Sequence, residues 1–250
     1  MSAHGVGVAR VALVVAVLGF WEALAQLGSP LLYVPPSRAL PALARLVSLQ
    51  SFPGLPEHLW VTLGEIGLAY ALAVGMGIAT GFVLGLWPFI GRTYAPLLGV
   101  AYAVPSVVWY PSLMLLFGLG AASKIAFGAL LGFYPMVVAV LAGIEQVNPH
   151  LVTVARAFGA GRTAIFVRIM LPAMLSTLVS GLRAGLALSV VGVIVGEVLG
   201  SKAGLGYLIN YAYGLLRTAD YVALVILTVV VVVAIDGLAG LIERRSRRWV

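Results

Sequence analysis

Eight carboxylates, three histidines and no cysteine are all the chain offers to a catalytic or metal centre. His4, His58 and His150 stand far apart, so the His-Glu-x-x-His pair of a zinc hydrolase is absent. All three also fall in segments that read as ends or loops, away from any serine that a bilayer protease would need. Without cysteine there is no disulfide, iron–sulfur cluster or thiol nucleophile. No Gly-x4-Gly-Lys-Ser/Thr loop is present to cradle nucleotide phosphates. The expectation is a chain that is not an enzyme and binds no cofactor of its own.

The remaining polar groups worth weighing are charges inside apolar stretches, which are expensive there and so mark function by default. Arg183 lies about 15 Å into one stretch and Asp236 about 9 Å from the end of another, depths that permit a pair. Arg183 could equally meet an anionic solute or a lipid headgroup. Glu65 and Glu197 both fall towards the far ends of their stretches. A third stretch carries Pro96, Pro105 and Pro111 with Tyr102, Trp109 and Tyr110 among them. Proline frees backbone carbonyls, which a membrane tolerates only if they are buried in protein or face a cavity. Tyr102, Pro105 and Trp109, with Arg183 and Glu197, are therefore candidates for lining a passage; a kinked helix packed in protein is the plainer alternative.

The segment 144–172 is too polar to span and too patterned to be a plain connector. Asn148 suits a helix N-cap and Pro149 the first helical position. Leu151, Val154, Ala155 and Phe158 then recur at helical spacing as one apolar stripe, with His150, Thr153 and Arg156 off it. Gly159 fits the left-handed residue that ends such a helix. A second helical piece with Ile165, Phe166 and Ile169 is expected to stop before Pro172. The stripe needs cover. It either lies on the lipid surface or docks a soluble partner.

The elements that must position these residues are membrane helices. The chain is 62% hydrophobic and only 9% charged, with mean hydropathy +1.11, against roughly 25% charged residues in soluble domains. A spanning helix needs about 20 apolar residues, and about six stretches qualify: 6–27, 59–86, 93–117, 122–143, 173–199 and 221–242. The first imitates a cleavable signal peptide, but its apolar run continues to Leu27 and predicts a retained helix. The lack of period-two alternation excludes a β-barrel. The fold expected is a single all-α membrane domain.

Net charge is +7, yet the basic residues are sparse and make no broad nucleic-acid face. They sort by loop instead. Arg10, Arg92, Arg156, Arg162, Arg168, Arg244, Arg245, Arg247 and Arg248 fall on one side, nine in all. Arg38, Arg45, Lys124, Lys202 and Arg217 make five on the other. The excess predicts that both termini and the 144–172 loop are cytoplasmic. Ala73, Gly77, Gly81 and Gly85 form one small-residue stripe, and Gly128/Gly132, Gly181/Gly185 and Gly192/Gly196 repeat its spacing. Such stripes let helix backbones approach closely.

The loop resembles the cytoplasmic signature of ATP-binding-cassette importer permeases, E-A-A-x3-G-x9-I-x-L-P. This chain has Thr153-Val154-Ala155, then Gly159, then Ile169-Met170-Leu171-Pro172, with the nine-residue gap intact and the first two positions changed. Pro105-Ser106-Val107-Val108-Trp109-Tyr110-Pro111, Phe117-Gly118-Leu119-Gly120, Gly181-Leu182-Arg183, Gly196-Glu197 and Gly204-Leu205-Gly206-Tyr207 are similar to the group serving sulfonate, taurine and nitrate uptake and to permeases for thiamine or riboflavin precursors. The resemblance implies a type I importer permease in the inner (plasma) membrane, working by alternating access. It implies a second permease copy, most simply a homodimer, and an extracytoplasmic substrate-binding protein. It also implies cytoplasmic ATPase subunits that carry ATP and Mg and receive the loop helix in a cleft. The alternative, an ion-gradient-driven secondary transporter, would carry inverted repeats with interrupted helices, and none is found.

Overall fold

The computed structural model describes residues 3–29 and 32–246. Among them every regular element is a helix: α1 (Ala3–Leu27), α2 (Pro36–Val47), α3 (Leu55–Leu86), α4 (Pro88–Ala103), α5 (Tyr110–Phe117), α6 (Ala121–Glu145), α7 (Pro149–Ala157), α8 (Arg162–Ile165), α9 (Leu171–Gly200), α10 (Leu205–Gly214) and α11 (Thr218–Ser246). Five helices are long and apolar enough to cross a bilayer, and one bent pair completes a sixth candidate span. Five of the expected stretches lie within α1, α3, α6, α9 and α11.

The expected span 93–117 is not one helix. Pro105 has no N–H to give, and its ring pushes the preceding residue out of the helical region. Val104 is accordingly extended, at φ −70° and ψ 129°. The chain re-forms through a 3₁₀ turn, Ser106–Trp109, into α5, and the two halves of the span meet at 91°. A second departure lies at 162–172. The helix does not stop before Pro172. It runs from α8 through a π turn, Phe166–Met170, into α9. Arg168, whose carbonyl the Pro172 ring would strike in a regular helix, lies inside that turn, and the wider winding relieves the clash.

The bundle is built on α6, which packs along α3 on one side and α9 on the other. Small residues set the approach. The Ala73–Gly77–Gly81–Gly85 stripe of α3 faces α6, where Gly77 meets Met136 and Gly81 meets Val140. Between α6 and α9, a Cβ at Gly192 would lie 2.7 Å from the Cα of Gly128. Close backbones maximise dispersion contact where lipid supplies no hydrophobic drive between helices. Ile66 and Ala69 of α3 meet Val190 and Val193 of α9 in one apolar core.

Two helices were not foreseen. α2 lies against α11, burying Ala42 and Leu46 in a second core with Phe52, Leu208, Ile209 and Leu224. α10 has ten residues, about 15 Å of helix, half of what a span of about 30 Å requires. It turns back into the protein between α9 and α11. α1 touches little besides α2; Ser37 donates to Glu22 from both its N–H (3.1 Å) and its hydroxyl (2.7 Å).

Candidate docking helix, aromatic cavity and buried ion cluster

The helix α7 is defined at both ends by its own residues. The Asn148 side chain accepts from the His150 N–H at 2.9 Å, satisfying one of the unpaired donors of the first turn. At the other end Gly159 stands at φ +81°. Its N–H donates to the Arg156 carbonyl and that of Ala160 to the Ala155 carbonyl, the paired closure that a left-handed glycine permits. The Thr153 hydroxyl donates back to Pro149 at 3.0 Å and leaves the outer face free of demand. Inward, Val152 and Ile169 pack on Val147, Met174 and Val140. Outward, Leu151 is 54% exposed, Val154 52% and Phe158 87%. Ala155 is half-buried, Arg156 and Pro172 are exposed, and Leu171 is partly covered. An apolar row thus projects from the bundle with no cover from the described residues. Beside it, Arg156, Arg162, Trp87 and Phe166 line a cleft of about 610 Å³.

The break at Pro105 opens a second feature. Tyr102, Val104, Ser106, Trp109, Ser112 and Tyr134 are among the walls of a cavity of about 480 Å³ between α4, α5 and α6. The rings of Tyr102 and Tyr134 stack at 3.9 Å, 8° from parallel. No lining residue is charged. Pro105 stands at the bend, while its neighbours Val104 and Ser106 reach the cavity.

The other two passage candidates lie elsewhere. Arg183 is bound bidentately by Asp236, Nε to Oδ1 at 3.0 Å and Nη2 to Oδ2 at 2.7 Å, and about half of each side chain is exposed. Glu197 is 1% exposed and is not among the residues lining that cavity. Its Oε1 pairs with the Thr62 hydroxyl and its Oε2 accepts from the Gly206 N–H, each at 2.7 Å. Gly204 stands at φ +106°, and any side chain there would strike the Glu197 carboxyl. Sequence reasoning missed the partner in this cluster. Lys124, counted above as a loop charge, is 2% exposed and lies 2.8 Å from Glu65. Its place near the start of a span, facing two carboxylates at the ends of others, was the available signal. Among the described residues, no three His, Asp or Glu side chains are grouped to hold a metal. Arg247 and Arg248 lie outside the described residues.

The family described as binding-protein-dependent transport system inner membrane component matches residues 39–248. The taurine transport system permease protein TauC of Escherichia coli (strain K12) is 30% identical over 227 residues, covering 90% of this chain and 82% of its own. The riboflavin transport system permease protein RibX of Chloroflexus aurantiacus is 33% identical over 233 residues, 93% of this chain and 86% of its own. In fold, the chain matches an inward-facing structure of the MetNI methionine ABC transporter with TM-score 0.65 at 22% identity, covering 78% of this chain and 96% of that one. With its helical spans and type I importer permease architecture, the chain belongs to the binding-protein-dependent transport system inner-membrane component family and is the permease subunit of an ABC importer.

Proposed function

We propose that this permease forms a homodimer in the inner membrane, takes its solute from an extracytoplasmic binding protein, and is driven by two cytoplasmic ATPase subunits that seat α7. The observation that carries the reading is the uncovered row Leu151, Val154 and Phe158 on a helix capped at both ends. A nine-residue helix is below the roughly 12–15 residues that hold a helix in water alone, so its preorganised ends point to a partner that uses its outer face. Docking there would pass ATPase closure to α6 and α9, which flank α7 and pack along each other. ATP and Mg belong to the ATPase.

The loop charges support a cytoplasmic α7 more strongly once Lys124 is removed from the count. Nine basic residues then face four. For the solute, the cavity at the Pro105 break is the proposed passage. Relatives serve a sulfonate in one case and riboflavin in another. A stacked aromatic pair in an uncharged lining favours a planar, vitamin-like heterocycle over a small anion. The reading is tested by purifying the tagged permease with its ATPase. Ala155→Asp places an unpaired charge in the proposed interface; the variant is expected to insert normally and to recover little ATPase. Normal recovery would return α7 to the lipid surface.

A further inference from the structure

The cluster of Glu65, Lys124 and Glu197 sits at the end of the bundle away from α7, because Lys124 opens α6 and Glu197 closes α9. All three residues are at least 96% buried, at 4%, 2% and 1% exposure. Two carboxyls therefore share one ammonium in a setting shielded from bulk solvent, where a surplus charge is costly. The neighbouring titratable groups do not supply the missing positive charge. His58 of α3 accepts from the Gly204 N–H at Nδ1, 3.0 Å away, which only a neutral imidazole can do. Tyr110 of α5 donates to the Gly196 carbonyl at 2.7 Å. Tyr207 of α10 stacks on the His58 ring. At the start of α11, Arg217 and Asp220 pair with each other.

A second observation points into the same place. Both carboxyl oxygens of Glu65 are buried and accept no aligned hydrogen bond. Lys124 forms an ion pair with Oε1 at 2.8 Å and also donates to Ser201 Oγ at 2.7 Å. Ser201 is already committed, accepting also from the Ala203 N–H and donating to the Ala203 carbonyl. Buried acceptors are nearly always satisfied, and Oε2 of Glu65 has no hydrogen-bond partner among the described residues.

We propose that the cluster holds one proton between its two carboxyls, Glu65 and Glu197, and that this proton fastens the α9–α10 hairpin to α3. The hydrogen-bond inventory admits such a charge without moving a heavy atom. Thr62 Oγ1 has one hydrogen and two lone pairs. It accepts from the Leu205 N–H at 2.8 Å and has two oxygens to serve, Glu197 Oε1 at 2.7 Å and the His58 carbonyl at 3.2 Å. With Glu197 ionised, the threonine donates to it. With a proton on Glu197 Oε1, the carboxyl donates and the threonine turns to His58. The surplus charge is thereby cancelled where Glu197 holds Gly206 and Thr62 holds Leu205. Without the proton, two like charges face each other at the hinge of α10 and loosen that hold. The inference is independent of where the ATPase docks, and its test uses no ATPase.

The test is the unfolding midpoint of the purified full-length permease across pH 5–9, in choline and in sodium media, compared with Glu65→Gln and Glu197→Gln. Each substitution removes one negative charge and leaves one carboxyl for one ammonium. Wild type is expected to lose stability as the proton is withdrawn, and both glutamine variants to lose most of that dependence. Loss on raising pH that sodium does not restore identifies the proton; restoration by sodium at fixed high pH would overturn the proposal. If the single variants do not fold, Glu65→Gln combined with Lys124→Met leaves one uncompensated carboxyl and is expected to regain the wild-type dependence. An identical dependence in wild type and the glutamine variants, or its absence from the double variant, would overturn the proposal.

Discussion

Gly159 is the residue on which the shape of α7, the proposed docking helix, turns. Its φ of +81° is open in space, with nothing within 4 Å of a built Cβ, so substitution meets strain without collision. Gly159→Val is expected to cost roughly 1–2 kcal/mol locally, to leave membrane insertion intact and to reduce ATP-driven uptake; Gly159→Asn, which tolerates this region, should retain more. Co-purified ATPase and uptake into proteoliposomes measure both. At the cavity, Tyr102→Ala and Trp109→Ala are expected to change uptake by severalfold while assembly survives, because they strip aromatic surface from an uncharged lining. Unchanged transport in both would assign these rings to packing. Some of this was legible in the residues. The depths of Arg183 and Asp236 permitted a pair without requiring one, and the two side chains meet in a bidentate contact. Lys124 was not legible, since a lysine four residues into a helix reads as an interfacial charge until the carboxylates facing it across α3 and α9 are known.

At the scale of elements, long apolar runs announced themselves and short ones did not. α1, α3, α6, α9 and α11 carry enough hydropathy to be found by length alone. α2 and α10 depend on a neighbour: each is too short to stand in water or to cross lipid, and each is stabilised by a core that the other shares with α11. The break after Ala103 was signalled by Pro105 but read as lining and not as a corner, because proline kinks and proline breaks look alike in sequence. α7 was legible throughout its length, as its caps and its stripe are local. Its outward row predicts a graded response. Phe158→Ala removes a ring whose burial contributes about 1.5–3 kcal/mol, so affinity for the ATPase is expected to fall roughly ten- to hundredfold. Val152, which faces the bundle, should instead affect stability when truncated. A titration of ATPase onto permease in nanodiscs separates the two.

For the whole molecule, the absence of cysteine makes every placement measurable. Thr153→Cys and Lys202→Cys sit at exposed positions on opposite ends of the bundle. The basic-residue count predicts that Lys202→Cys is labelled by an impermeant thiol reagent on intact cells and Thr153→Cys only after the membrane is opened; the reverse pattern would invert the molecule. The central claim, that α7 is where an ATPase drives this permease, is tested most directly at its most exposed side chain. Phe158→Cys in the assembled complex, treated with a short thiol-to-amine cross-linker and analysed by mass spectrometry, is expected to yield one dominant adduct, to a soluble subunit bearing a nucleotide-binding loop. An intact complex whose Phe158→Cys forms no such adduct and reacts only with lipid-partitioning reagents would contradict the account.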